Sequence, residues 1–218
     1  MPPPPGLTKP LPVRAVAVAP DTRPAMYDAM CRAVADGGAA LVGVENAEAL
    51  VWADPYRADL FPGTFRRNTR LEWVQLPYAG VEAFLDHLDH DRHWTNAKGV
   101  YAPAVAETAL AMVLAGQKHL HGYARTRRWS EPVGRTLGGS RITILGGGGI
   151  AEHLLPLLAP FGCDVTVVRR STEPFEGANR TMTAARLHEV LPRTDVLILA
   201  LALTNETTGI IGAPELAA

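Results

Sequence analysis

The chain has 218 residues, of which 47% are hydrophobic and 20% charged, a composition that suits one large or two small globular domains and excludes disorder along the whole length. Lys plus Arg total 21 against 22 Asp plus Glu, with no long block of one sign, so the electrostatic footprint of a nucleic-acid binder is missing and no nucleic-acid partner is expected. The longest apolar stretch, 196–203, falls far short of the ~20 residues needed to cross a bilayer, and no membrane partner is expected either.

Residues 1–12, MPPPPGLTKPLP, lack the apolar segment of a signal peptide and read as a disordered Pro-rich tail. The only cysteines, Cys31 and Cys163, have no metal-like spacing. Both read as plain buried residues, and a reducing cytoplasm is the expected compartment. The run VRAVAVA at 13–19 predicts a buried strand, followed by a helix over 25–35 and a Gly37-Gly38 stop. AALVGVE, EALVWADP and LEWVQLPYAG continue as short apolar runs feeding loops or helices. Strand and helix alternating in this way imply a parallel sheet covered by helices.

The pattern changes near Trp94. Pro103 opens a long helical segment, AVAETALAMVLAGQKHLHGYARTRRW, that reads as a helix joining two domains. After a polar, Gly-containing stretch at 130–140 comes a second series. It comprises the strand RITIL, a helix over 150–159, the strand CDVTVV, a helix over 183–190 and the strand DVLILALAL. That is one mononucleotide-binding half. The predicted fold class is therefore α/β with two open parallel-sheet domains: a flavodoxin-like substrate domain over 13–101 and a Rossmann dinucleotide-binding domain over 102–218.

The strongest chemical signal is Gly146-Gly147-Gly148-Gly149-Ile150-Ala151, directly after one strand and directly before a helix. It fits G-x-G-x-x-A in the required context. Gly146 permits the tight turn, Gly148 lets the backbone approach a pyrophosphate, and Ala151 lets helix and strand pack closely. The helix N-terminus supplies N–H groups and a positive dipole end. An acidic residue at the end of the next strand would bind the ribose of NAD, whereas Arg there accommodates the 2′-phosphate of NADP. Here the strand ends in Arg169-Arg170-Ser171, two guanidiniums and a hydroxyl with no carboxylate. NADP(H) is the preferred cofactor on this reading, with NAD(H) possible. An empty Gly-rich turn and a solvated basic turn are the alternatives.

At this point the chain resembles the D-2-hydroxyacid dehydrogenase family, the group containing phosphoglycerate dehydrogenase and glyoxylate/hydroxypyruvate reductases. LPYAGVE looks like the family's substrate loop, AVAETAL like the start of its interdomain helix, LGGGGIAEHL like its glycine loop, and LHEVLPRTDVLILALALTNETTGIIGAPELA like its third strand and the turn after it. The resemblance implies that Tyr78, Ala79 and Gly80 offer backbone N–H groups to a substrate carboxylate, and that Gly149 and Ile150 meet the cofactor pyrophosphate. It also places Leu201 and Ala202 along the adenosine side and Thr108 near the nicotinamide. Ala151 and Ala202 depart from the family's usual Gly and Pro, and the basic strand end departs from its usual Asp.

The family's catalytic Arg, its acidic partner and its His acid/base belong to later segments, expected beyond Ala218. No catalytic residue is therefore assigned within 1–218. None of the seven histidines takes the role by motif. His87, His90 and His93 have a spacing that tempts a metal reading, but neighbouring Asp and Arg make a polar helix end the better one, and no metal is expected. A lone mononucleotide half would leave RITIL with an unpaired edge, so a second half of roughly 80–100 residues is expected to follow. The function these readings support is an oxidoreductase that reduces small 2-oxo acids, such as glyoxylate or hydroxypyruvate, with NADPH. The alternative is a non-catalytic relative or truncated fragment that binds the dinucleotide without turnover. The resemblance also implies a homodimer, to which the apolar stretch 106–114 could contribute.

Overall fold

A computed structural model describes residues 13–218, and the Pro-rich tail lies outside the described residues. The chain divides into two compact units, one ending at Ala97 and the other beginning at Lys98.

The first unit contains β1 (Ala15–Ala19), α1 (Pro24–Asp36), β2 (Ala40–Leu41), β3 (Ala49–Trp52), α2 (Phe61–Arg67), β4 (Trp73–Gln75) and β5 (His93–Thr95). Its strands form one parallel sheet in the order β2-β1-β3-β4-β5, the flavodoxin-like order. The alternating small and β-branched residues of β1 bury Val16, Ala17 and Val18, as a strand covered on both faces requires. The core of this unit is aromatic. Trp52 is wholly buried, stands edge-on to Phe61 with ring centroids 4.5 Å apart, and satisfies its indole N–H on the Asp54 carbonyl at 2.7 Å. Asn68 pins the 44–47 turn below the sheet by donating to the Val44 and Ala47 carbonyls at 2.8 and 2.7 Å.

The second unit runs α3 (Ala102–Gln117), α4 (Leu120–Tyr123), β6 (Arg141–Leu145), α5 (Gly149–Leu158), β7 (Asp164–Val168), β8 (Arg180–Met182), α6 (Leu187–Val190), β9 (Val196–Leu199) and α7 (Ala213–Ala217). Its four strands are parallel in the order β8-β7-β6-β9. The two faces of β6 divide the core. Ile142 and Ile144 pack with Ala106 of α3 and Leu154, Leu155 and Leu158 of α5. Leu145 points the other way, into a cluster with Val168, Met182, Leu187 and Leu191.

Four expectations change. β6 is paired on both sides rather than left with a free edge, because β9 crosses over and docks with Ile142 opposite Val196 and Leu145 opposite Leu199. The third strand of the series is the short β8, so β9 is the fourth, lying across the switch point where strand order reverses. The long helix predicted beyond Pro103 ends at Gln117, where His119 adopts a left-handed backbone with φ of 53° before the single turn of α4. The cysteines are half-buried rather than fully buried, with the Cys163 thiol donating to the Leu137 carbonyl at 3.4 Å and pushed up in pKa by burial.

Candidate functional site

In the second unit, the carboxyl ends of β6, β7 and β9 meet at the glycine loop. Gly146 follows β6 with φ of 114°, and its N–H donates to the Val168 carbonyl at 2.8 Å. A Cβ there would come within 2.7 Å of the Ala200 carbonyl carbon and 3.2 Å of the Leu201 nitrogen. The turn and the end of β9 therefore touch backbone to backbone, which only glycine permits.

Gly148 caps α5 with extended backbone, and a Cβ built on it would meet nothing within 4 Å. The space in front of this helix N-terminus is open, which is what a pyrophosphate seated on the N–H groups of the first turn requires. Gly149 packs against the start of α3, where its Cβ would lie 3.2 Å from that of Ala102. His153 closes the other side of that turn, with Nδ1 2.8 Å from the Gly149 carbonyl oxygen. Ala151 is fully buried between helix and sheet.

The basic strand end lies beside this loop. Arg169 donates its main-chain N–H to the Met182 carbonyl at 2.9 Å, and its guanidinium lies over the Phe175 ring, 5.4 Å from the centroid. Arg170 is exposed. The Ser171 hydroxyl oxygen accepts the Glu173 N–H at 3.1 Å, so its own proton is not spent in that bond. A cavity of about 620 Å³ opens alongside, lined by Arg169, Phe175, Leu155, Pro156 and the carboxylates of Glu152 and Glu176. Leu201 is half-buried and Ala202 exposed, its carbonyl accepting the Thr207 hydroxyl at 2.6 Å. Thr108 is exposed on α3 and donates its hydroxyl back to the Ala104 carbonyl at 2.8 Å. The structure thus brings the glycines, the basic strand end and Leu201 to one sheet edge. Phe175 and Ala102, which complete their surroundings, carry no signal in the sequence pattern.

The first unit presents its own loop, Tyr78, Ala79 and Gly80, past the end of β4. The Tyr78 carbonyl accepts the Ala97 N–H at 3.2 Å and the Ala79 carbonyl accepts the Asn96 amide at 3.1 Å. In a trans peptide the N–H points opposite the carbonyl, so these bonds turn the N–H groups of Ala79 and Gly80 away from the 95–97 segment. Arg23, which the sequence reading did not single out, stands beside this loop. Its guanidinium is held above its ordinary pKa chiefly by hydrogen bonding with Tyr78, and its Nη1 is buried with no hydrogen-bond partner among the described residues.

His87, His90 and His93 are not assembled into a site. The His87 ring packs 5.6 Å from that of Phe61, and His93 lies in β5 opposite Trp73. Among the described residues no group of three or more His, Cys, Asp or Glu is placed to hold a metal, and no helix is long and apolar enough to cross a membrane.

A family model described as the NAD binding domain of D-isomer specific 2-hydroxyacid dehydrogenases matches residues 108–218. The chain belongs to that family. This dehydrogenase-family chain is 34% identical over 155 residues to an uncharacterized protein from the proB 3′ region of Corynebacterium melassecola, covering 67% of its own length and 51% of that protein. It is 28% identical over 134 residues to a glyoxylate reductase of Aeropyrum pernix, covering 56% and 40% of the two chains. Among solved structures, a D-isomer specific 2-hydroxyacid dehydrogenase family protein from Aeromonas salmonicida superposes with a TM-score of 0.75 at 25% identity, over 89% of this chain and 66% of that one. The chain therefore spans about half the length of the Corynebacterium relative. Its two parallel α/β sheets match the fold of the family, with the Rossmann NAD-binding domain in the second unit.

Proposed function

We propose that this member of the family reduces small 2-oxo acids, of the size of glyoxylate or hydroxypyruvate, to D-2-hydroxy acids with NADPH. The observation that carries the reading is the glycine loop opening α5 with Arg169, Arg170 and Ser171 beside it and no acidic residue at the end of β7. The glyoxylate reductase of Aeropyrum pernix among the relatives supports the substrate class.

The bound dinucleotide supplies the hydride. The chain's own residues bind and orient. N–H groups at Gly148, Gly149 and Ile150 receive the pyrophosphate at the positive end of α5. Gly146 holds the turn against Ala200 so that those N–H groups face outward. Arg169 and Arg170 supply fork-shaped donors, and Ser171 a hydroxyl, for a 2′-phosphate. Leu201 and Ala202 border the adenosine and Thr108 the nicotinamide side. In the first unit, Ala79 and Gly80 direct N–H groups at the substrate carboxylate, with Tyr78 completing that loop. Two copies of the chain associate.

The test is absorbance at 340 nm with NADPH, glyoxylate and hydroxypyruvate. Oxidation that depends on the 2-oxo acid and runs faster with NADPH than with NADH is the expected result. Saturable NADPH binding with no 2-oxo-acid-dependent oxidation would instead establish a dinucleotide-binding protein without turnover, and absence of binding would remove both readings.

A further inference from the structure

We infer that Gly147 and Phe175 form a clamp that holds Arg169 ready for the 2′-phosphate, making this pair, rather than the arginine alone, the determinant of nucleotide choice. The inference rests on the NADPH reading above and deepens it.

Gly147 is not among the residues with positive φ, so its backbone would accept a side chain. Space is what resists one, because the neighbouring side chains would have to shift to admit it. A Cβ at 147 would stand 2.9 Å from Arg169 Cδ, 3.2 Å from Arg169 Cβ and 3.2 Å from Phe175 Cε2. The stem of Arg169 fills the volume that any side chain at 147 would need, and the Phe175 ring bounds it from the other side.

Each partner is itself fixed. Arg169 is tied at its main chain to Met182 of β8 at 2.9 Å. Phe175 is buried in the core cluster under α5, and its N–H donates to the Thr181 hydroxyl at 2.9 Å. The loop between β7 and β8 is thereby folded back so that an aromatic ring lies under the guanidinium.

A cation–π contact is made through the ring face and spends none of the guanidinium N–H donors. Among the described residues the Arg169 guanidinium makes no hydrogen bond or ion pair, so those donors are ordered but unspent. An arginine ordered before the ligand arrives loses less side-chain entropy on binding than a free one. Arg170, exposed, has no such support. Arg169 is thus the principal phosphate-binding residue of the strand end, and Gly147 and Phe175 are positioning residues that act through it.

The test is a fluorescence titration of the intact protein with NADPH and with NADH, for the wild type, Phe175→Leu, Gly147→Ala and Arg169→Ala, and for Phe175→Leu and Gly147→Ala in the Arg169→Ala background. Each clamp variant should weaken NADPH binding roughly 3- to 10-fold, the scale of a lost stacking contact. NADH binding should stay within about twofold, which also reports that the domain is folded. Neither clamp substitution should alter the NADPH/NADH ratio once Arg169 is gone. An unchanged ratio in both clamp variants, or a ratio that still falls without Arg169, would overturn the inference while leaving the NADPH reading intact. If Phe175→Leu binds neither nucleotide, Gly147→Ala decides alone. A wild type with no preference for NADPH overturns the cofactor reading itself, and the clamp with it.

Discussion

A methyl group added at Gly146 would meet the Ala200 carbonyl carbon at 2.7 Å, on a residue whose φ is already 114°, whereas one added at Gly148 would meet nothing within 4 Å. The two glycines therefore answer to different demands, one of the fold and one, on the proposed function, of the ligand. Gly146→Ala carries both a left-handed backbone penalty and a backbone clash, and should cost about 2–4 kcal/mol of stability, read as a lowered urea midpoint. Gly148→Ala has extended backbone and open space, so its midpoint should stay within about 0.5 kcal/mol of wild type. Its methyl nevertheless projects into the space where the proposed function seats a pyrophosphate, and dinucleotide affinity should fall by at least about tenfold, equivalent to roughly 1.4 kcal/mol. Equal losses of stability in the two variants would show that Gly148 serves the fold as Gly146 does.

At the scale of elements, the first residue of β6 and the residue preceding β9 are laced together by one ion pair. Asp195 accepts the Arg141 main-chain N–H at 2.8 Å and its guanidinium at 3.0 and 2.8 Å, while the Asp195 N–H returns to the Arg141 carbonyl at 2.9 Å. These bonds, the guanidinium first, hold the Asp195 carboxyl far below the usual carboxylate range. A pKa depressed by folding contributes stability that is fully present above the unfolded value, about 4, and drains away as pH falls from there toward the folded value. Wild type should therefore melt higher than Asp195→Asn at neutral pH, with the gap narrowing as pH falls below about 4. Thermal melts between pH 2.5 and 7 check this, and a gap independent of pH would mean that the carboxylate's charge contributes nothing. Because the pair is partly exposed, added salt should shrink the gap as well.

How far the elements could be read from sequence follows from the same contacts. RITIL announces β6 because four of its five residues are buried and the glycine loop follows at once. β8, with the sequence RTM, buries only Met182, and β5, with HWT, has no fully buried residue. Neither carries an apolar run, and both exist because the sheet offers a paired edge. The glycine loop and Arg169-Arg170-Ser171 were legible because their chemistry depends on offsets along the chain. Phe175 and Ala200 were not, since what brings them to the loop is the return of the chain through β8 and β9. The break after Gln117 was hidden as well, because a left-handed histidine has no compositional mark.

At the scale of the whole molecule, the surface of the second unit carries apolar groups that its own core does not use. The apolar stretch 106–114 is mostly spent internally, with Ala106 buried and Ala109, Leu110, Val113 and Leu114 packed on the core shared with α5. Met112 is left 71% exposed, and the following loop adds Val133 and a fully exposed Trp129. Met112 and Val133 line an open cavity of about 420 Å³ together with Val113, Val196 and the charged Arg135 and Asp195. Exposed Trp and Met are residue types that anchor interfaces. A surface offering both an exposed ring and a recess also suits a twofold contact, in which each copy supplies both. The protein should therefore sediment as a dimer at micromolar concentration. Met112→Glu should shift it to monomer by placing a charge in the recess, and Trp129→Ala should weaken association by about 30-fold or more, the scale of losing one anchor of about 2 kcal/mol. Both variants should keep their NADPH affinity, because neither position lies at the sheet edge where the glycine loop sits. A wild-type protein that sediments as a monomer at these concentrations would show that the patch serves some other contact.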